Sequence, residues 1–126
     1  MKKKKYRPFK ISCGLKEGYG ASAKIHTITE VRKLIQKWIE ERIKSGEKVV
    51  VGTLFKGQFI YPWIEGKKIS SKYEPAFHYK GIIRDDASDK EAIEMLENLA
   101  KELAKKFKQH RIHIEFCSDY FVIENK

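Results

Sequence analysis

The sequence has too few cysteines, and no apolar run long enough, for a disulfide-stapled or membrane-spanning protein. Its two cysteines, Cys13 and Cys117, cannot build a disulfide framework and favour a reducing, cytoplasmic setting. No apolar run approaches the roughly 18 residues of a membrane span, so no membrane partner is expected. The charged stretch from Met1 to Lys5 leads into no hydrophobic segment and does not resemble a secretory signal. Apolar residues make up 41% of the chain, which excludes wholesale disorder.

Arginine is also scarce, and this weakens the argument from net charge. The formal charge is +10, yet only five of the 27 basic residues are arginines, the side chains favoured for bidentate phosphate contacts. Six basic residues fall within positions 2–10, so the rest of the chain carries only +4. The surplus fits either a solvated lysine-rich surface or anion binding. We expect a flexible basic arm at 1–5 and a single domain at 6–126.

What the chain does contain is one capping signal used twice. Thr27 to Glu30 and Ser88 to Glu91 both match the capping box that opens a helix. Phe55 lies 28 residues after Thr27, and Phe116 lies 28 residues after Ser88. A second β-rich run follows soon after each phenylalanine. The sequence therefore predicts an internal repeat, with units at about 6–63 and 76–124.

Periodicity places the predicted elements within this repeat. Apolar residues at three- and four-residue spacing predict two helices, and alternation predicts short strands. A hairpin is expected about Lys56-Gly57, and residues 69–75 are expected to be irregular. The predicted helices span 28–45 and 89–109, and the predicted strands span 6–13, 48–55, 58–63, 76–84, 111–116 and 120–124.

These elements predict an α+β, single-domain, two-layer sandwich. Two β-α-β-β units related by a pseudo-twofold axis should place both long helices on one face of a mixed sheet. In outline this plan resembles the ferredoxin-like and tautomerase-like folds. The amino-terminal proline that tautomerase chemistry requires is absent, because Met1 is followed by lysines.

The segment from Phe55 to Arg84 interleaves aromatic and basic residues and is the strongest functional signal. Aromatic rings on a sheet can stack on nucleobases while nearby cations hold phosphates. The alternative is that these rings only cover the helices. The stacking candidates are Tyr61, Trp63 and Tyr79, and the phosphate candidates are Lys80, Arg84 and Arg111.

A glycine-rich connection between Gly14 and Gly20 precedes the first helix. Such a turn can cradle an anion at a helix N-terminus, and Tyr19 and Lys24 would then be contacts. The glycine spacing matches neither the Walker loop nor the dinucleotide fingerprint, so a surface loop is the alternative.

Signals for metal binding and nucleophilic catalysis are weak. His113, Glu115 and Cys117 alternate along one strand, but zinc needs four ligands and no second cluster supplies them. Cys13 has no local signature that pairs it with a histidine. We therefore predict no metal, no cofactor and no catalytic residue.

The sequence favours a non-enzymatic intracellular protein that binds a phosphate-bearing ligand, either single-stranded nucleic acid or a free nucleotide. We expect a homo-oligomer, because a pocket for a small ligand can form between subunits. One alternative is a small oligomeric enzyme acting on an anionic small molecule. The other is a protein–protein interaction module that uses exposed edge strands and Trp63.

Overall fold

One five-stranded sheet and two helices make up the structure, a computed structural model that describes residues 1–18, 20 and 22–125. In chain order the elements are β1 (Pro8–Gly14), α1 (Ile28–Lys44), β2 (Gly52–Glu65), β3 (Lys68–Ile82), α2 (Asp89–Lys106), β4 (Arg111–Phe116) and β5 (Asp119–Glu124). The strand order is β2-β3-β1-β4-β5, and each neighbouring pair is antiparallel.

Both helices begin at the predicted capping boxes. The Thr27 hydroxyl accepts from the Glu30 amide at 3.2 Å, and the Glu30 carboxylate accepts from the Thr27 amide at 2.6 Å. Ser88 and Glu91 repeat this exchange at 3.1 and 3.0 Å. An N-cap of this kind contributes about 1 kcal/mol to stability, so these short motifs fix where each helix starts.

The two-layer sandwich with two helices against a sheet is confirmed, but the sheet is antiparallel instead of mixed. The strands joined through each helix run in the same direction, as expected. However, β3 lies between β1 and β2, and β1 lies between β3 and β4. Each parallel pair is therefore separated by one strand that runs the opposite way.

The hairpin expected about Lys56-Gly57 is wrong, because β2 continues through these residues to Glu65. The chain reverses instead at Gly66, whose φ of +59° suits a tight two-residue turn, and residues 69–75 belong to β3. Strand pairing with β1 ends at Ala76, so residues 58–65 and 68–75 extend beyond it as a two-stranded ribbon. This hairpin arm, residues 58–75, is about 25 Å long at the usual rise per residue.

The core lies between the sheet and the helices. Alternate residues of β1, β3 and β4 meet the apolar stripes of α1 and α2 there. Within the described residues, neither helix is long and apolar enough to cross a membrane. The largest fully buried side chains include Phe77, Phe107, Ile11, Leu15, Leu96, Leu99, Leu103 and Ile112.

Candidate functional site

The face of the sheet turned away from the helices, called the open face here, carries the polar and aromatic side chains of alternate strand positions. The strand register places Phe55, His78, Ser12, His113 and Val122 in one row across all five strands. A row of two imidazoles, a hydroxyl and an aromatic ring is unusual for a purely solvated surface. It marks this part of the sheet as the candidate site.

The next row of the open face is built from small residues. Gly57, Ala76 and Gly14 are neighbours on β2, β3 and β1. Beyond them, at the base of the hairpin arm, Phe59 pairs with Glu74. The small residues leave space that larger side chains occupy: His78 lies over Gly57, Gln109 and Glu74 lie over Gly14, and Ala76 is fully buried.

His78 is held tightly in this arrangement. Its Nδ1 atom lies 2.7 Å from the Ser12 hydroxyl oxygen, and its ring centroid lies 5.3 Å from that of Phe55. The Phe59 ring meets it edge-on at 6.2 Å. A Cβ atom at Gly57 would lie 2.7 Å from His78 Nε2, so the imidazole occupies space that only glycine leaves open.

His113 forms the second half of the cluster. Its Nδ1 atom is hydrogen-bonded to the Tyr120 hydroxyl, and the two rings stack with centroids 5.7 Å apart. The Phe59 ring lies edge-on to His113 at 6.4 Å and so contacts both imidazoles. Phe59 therefore links the histidines across the sheet.

Burial lowers the pKa of both imidazoles. For His78 the charge of Lys10 lowers the pKa further, while Glu115 opposes this effect. For His113 the second cause is Arg111. Both rings are therefore neutral at neutral pH, and each can donate a hydrogen bond through one nitrogen and accept through the other.

Glu74 brings a carboxylate to the same site. Its side chain is half-buried, and its Oε1 atom lies 3.1 Å from where a Cβ of Gly14 would stand. Among the described residues its carboxyl group makes no hydrogen bond or ion pair, so it is free to contact a bound ligand. We call Ser12, Phe55, Phe59, Glu74, His78, His113 and Tyr120 the open-face cluster.

Two of the predicted stacking residues lie on the open face of the hairpin arm, next to this cluster. Tyr61 and Trp63 follow Phe59 at alternate positions of β2. The Lys72 ammonium lies 3.6 Å from the centroid of the Trp63 ring, and the indole N–H donates to Glu65 at 2.7 Å. These aromatic rings extend the candidate site along the arm.

The burial of Tyr79 contradicts its predicted stacking role. Strand alternation sends its side chain to the helix side with Phe77, where it is 4% exposed. Its hydroxyl donates to the Val50 carbonyl at 3.2 Å, and burial raises its pKa. The ring belongs to the core, so it cannot stack on a ligand.

The predicted cations are scattered. Lys80 lies on the open face with its ammonium 5.8 Å from the Phe55 ring, and Arg111 begins β4 at the Gly14 end of the sheet. Arg84 follows the opposite end of β3 and pairs with Asp86 at 3.8 Å, so it is not brought to the cluster. Lys24 is exposed before α1, and Tyr19 lies outside the described residues.

Thiolate chemistry at Cys13 is excluded by its surroundings. Burial is the main cause that raises the pKa of this thiol to about 12, with a smaller contribution from Glu74. The side chain points into the core and stays protonated at neutral pH. Among the described residues, no group of three or more His, Cys, Asp or Glu side chains is arranged to hold a metal ion.

The sequence identifies single residues of the open-face cluster but does not predict that they lie together. Strand alternation places His78 on the same face as Lys80, and His113 on the same face as Glu115, and this signal is present in the sequence. What was missing was the register that sets Ser12 between the two histidines. Glu74 was overlooked because the segment around it was expected to be irregular.

The fold is similar to that of phage SAM lyase. The structure of that enzyme in complex with S-methyl-5'-thioadenosine matches with a TM-score of 0.69, 19% identity, and coverage of 95% of this chain and 90% of that chain. The apo state of phage SAM lyase matches with a TM-score of 0.63 and 18% identity over the same shares. No protein-family profile and no curated protein matches the sequence.

These neighbours correct the functional hypotheses drawn from the sequence. Both are enzymes, which contradicts the interpretation of the chain as a non-enzymatic binder. One of them holds a small molecule, which contradicts nucleic acid as the expected partner and the associated assignment to nucleotide or nucleic-acid binding. The alternative of a small enzyme is the better supported one.

Proposed function

We propose that this protein is a lyase that acts on S-adenosylmethionine (SAM) and releases S-methyl-5'-thioadenosine. The observation that carries the proposal is the open-face cluster, with the Glu74 carboxylate beside the two histidines, on a fold shared over 95% of the chain with a SAM lyase. Both free cysteines fit a cytoplasmic setting, where such a substrate is available.

The chemistry follows from comparing substrate and product. S-methyl-5'-thioadenosine keeps the adenosine, the sulfur and the methyl group of SAM, so the bond that breaks joins sulfur to Cγ of the aminocarboxypropyl chain. The electron pair of this bond goes to sulfur, and the sulfonium cation becomes a neutral thioether. Without added water, the carbon fragment is completed either by ring closure of its own carboxylate onto Cγ or by loss of a Cβ proton.

The open-face cluster supplies groups that can bind a sulfonium substrate and accept a proton from it. The Glu74 carboxylate can face the cationic end of the substrate, and the rings of Phe55 and Phe59 can pack against the sulfonium. Neutral His78 can accept the Cβ proton in the second route.

Other residues are assigned to the two ends of the substrate. Tyr61, the next open-face residue after Phe59 on β2, would stack on the adenine, and Trp63 lies one further position along the arm. Lys80, which lies on the side of the cluster away from the arm, would hold the substrate carboxylate. SAM carries no phosphate, so this cation acts on a carboxylate in place of the phosphate expected from the sequence.

The test is to incubate the purified protein with SAM and follow S-methyl-5'-thioadenosine by chromatography and mass spectrometry. We expect product formation by the wild type and a roughly 10- to 100-fold loss of kcat/KM in Glu74→Gln, since a charge-assisted contact contributes about 1.5–3 kcal/mol. Glu94→Gln on the exposed side of α2 is the matched control and should retain full activity.

Two outcomes would contradict the proposal. Absence of product at every SAM concentration in the folded wild type would exclude the activity. Equal losses in Glu74→Gln and Glu94→Gln would remove Glu74 from the site. The mass of the coproduct at the earliest times separates the two lyase routes from hydrolysis, because hydrolysis adds one water.

A further inference from the structure

The chain that connects β1 to α1 folds back on itself. The strap is the name used here for the described residues of this connection, 15–18, 20 and 22–26. The Glu17 amide donates to the Lys24 carbonyl at 2.9 Å, and the His26 amide donates to the Leu15 carbonyl at 2.8 Å. These two hydrogen bonds close the strap into a loop whose two ends lie side by side.

The imidazole of His26 is buried between two carboxylates. Its side chain is only 5% exposed, and the Phe107 ring meets it edge-on at 4.9 Å. Its Nδ1 atom lies 3.2 Å from Glu30 Oε2 on α1, and its Nε2 atom lies 3.2 Å from Glu17 Oε1 in the strap. Nδ1 is hydrogen-bonded to Glu30, whereas Nε2 has no hydrogen bond among the described residues. One nitrogen of a buried ring therefore faces a carboxylate oxygen without a hydrogen bond.

A neutral imidazole cannot satisfy both carboxylates. It carries a single N–H, so donation to one carboxylate leaves a lone pair on the other nitrogen, directed at the second carboxylate. Two acceptor atoms would then face each other at 3.2 Å on one side of the ring. Imidazolium has a donor on each nitrogen and can bond Glu17 and Glu30 at once. The arrangement of these three side chains therefore has a place for one additional proton.

Among the described residues, the charged groups that face the ring come from the strap and from α1. The strap provides Glu17 and Lys24, and α1 provides Glu30, while an uncharged phenylalanine covers the ring on the α2 side. The Thr27 amide is the main cause that lowers the pKa of Glu30, and His26 and Lys24 lower it further. Glu30 therefore stays ionised in mild acid, the range in which histidines gain a second proton.

The strap is also bonded to the surroundings of Glu74. The Leu15 amide donates at 3.0 Å to the carbonyl of Pro75, the next residue after Glu74 in β3. The side-chain amide of Gln109, which lies next to Glu74 over β1, donates to the Lys16 carbonyl at 2.9 Å. Opening of the strap would therefore loosen residues that pack beside this carboxylate.

We propose that His26 is a pH-dependent latch on the strap. When the ring carries both protons, it joins Glu17 to Glu30 and holds the strap closed against α1. When the pH rises and one proton is lost, one carboxylate faces a lone pair and the strap opens more often. The latch thereby makes the rigidity of the residues beside Glu74 depend on pH. This inference stands apart from the proposed lyase reaction, because the strap can be measured without substrate.

The test measures amide hydrogen exchange by NMR at pH 5.5 and pH 7.5, with each rate divided by the intrinsic rate at that pH. The reporters are the amides of Glu17, His26 and Leu15, which bond across the strap and to β3. In the wild type their protection should be about 10-fold lower at pH 7.5, as expected for loss of a charge-assisted hydrogen bond. The Ile83 amide, which bonds Arg7 at the other end of the sheet, is the reference for global opening.

Three variants separate the latch from other causes of pH dependence. His26→Gln removes the titrating ring, so its strap should be equally protected at both pH values. Glu17→Gln offers an amide N–H to the lone pair of the neutral ring, so its strap should stay protected at pH 7.5. His110→Gln removes an exposed histidine and is the matched control, which should keep the wild-type pH dependence.

The proposal would be overturned by equal strap protection of the wild type at both pH values, relative to the Ile83 amide. It would also be overturned if His26→Gln kept the wild-type pH dependence. Glu17→Gln retains the imidazole and gives a separate test if His26→Gln does not fold. A Glu17→Gln strap that still loses protection at pH 7.5 would show that the contact between His26 and Glu17 does not hold the strap.

Discussion

A methyl group at position 57 would collide with the imidazole of His78. The Cβ of Gly57→Ala would lie 2.7 Å from His78 Nε2 and 2.9 Å from Cδ2, where ordinary contacts begin near 3.4 Å. The ring cannot simply swing away, because Phe55 and Phe59 flank it and Ser12 holds its other nitrogen at 2.7 Å. The substitution must therefore break the Ser12 hydrogen bond or displace β2.

The expected cost follows from these two alternatives. Loss of one partly buried hydrogen bond costs about 0.5–1.5 kcal/mol, and overpacking a tight contact costs about 1–3 kcal/mol. We expect Gly57→Ala to lower the free energy of unfolding by about 2 kcal/mol, which corresponds to a decrease in Tm of roughly 6–10 °C for a domain of this size. Thermal unfolding followed by circular dichroism measures this directly.

Two further variants test whether the collision with His78 causes the loss of stability. Gly20→Ala is the control, because nothing lies within 4 Å of a Cβ there and the substitution should leave Tm unchanged. The double variant Gly57→Ala/His78→Ala removes the colliding ring and should be less destabilised than the sum of the two single variants. The explanation would be wrong if the Tm of Gly57→Ala lay within a degree of the wild-type value. It would also be wrong if the effects of the two substitutions were strictly additive, because position 57 and the His78 ring would then not be in conflict.

The remaining predictions concern protonation. Because burial lowers the pKa of His78 below its unfolded value of 6.5, acid protonates the unfolded chain first, so stability should fall as the pH decreases below about 6.5. His78→Asn should weaken this dependence in Tm measured from pH 7.5 to pH 5, and an unchanged pH profile would contradict the assignment. Iodoacetamide should label the exposed Cys117 of the folded protein, whereas Cys13, with a pKa raised to about 12, should react only after unfolding. Equal labelling of both thiols under native conditions would show that the β1 core opens readily.

Local signals in the sequence were sufficient for part of the fold. Capping at Thr27 and Ser88 depends on side chains three residues apart, so the sequence alone places both helix starts. Alternation along β3 also places His78 and Tyr79 on opposite faces of the sheet. These features need no knowledge of which strands become neighbours.

The predictions were wrong where a residue contacts a partner that is distant in the sequence. Gly57 was interpreted as a turn because glycine is common in hairpins, whereas it is required under the ring of His78, 21 residues away. Residues 69–75 were expected to be irregular, yet Pro75 is tolerated within β3 because pairing with β1 ends at Ala76. The open-face cluster could not be predicted because it depends on the register of five strands.

The base of the hairpin arm restricts which insertions and deletions the chain can accept. Tyr73 and Glu74 are consecutive residues of β3 that project to opposite faces, one toward the exposed isoleucines on the helix side of the arm and the other into the open-face cluster. One codon inserted beside Pro75 would exchange the two side chains, placing the ring among the histidines and the carboxylate among the isoleucines. Two inserted codons would restore both faces. Length changes at this point of the chain are therefore tolerable only in steps of two, whereas the turn at Gly66 lies far enough away to leave both residues in place.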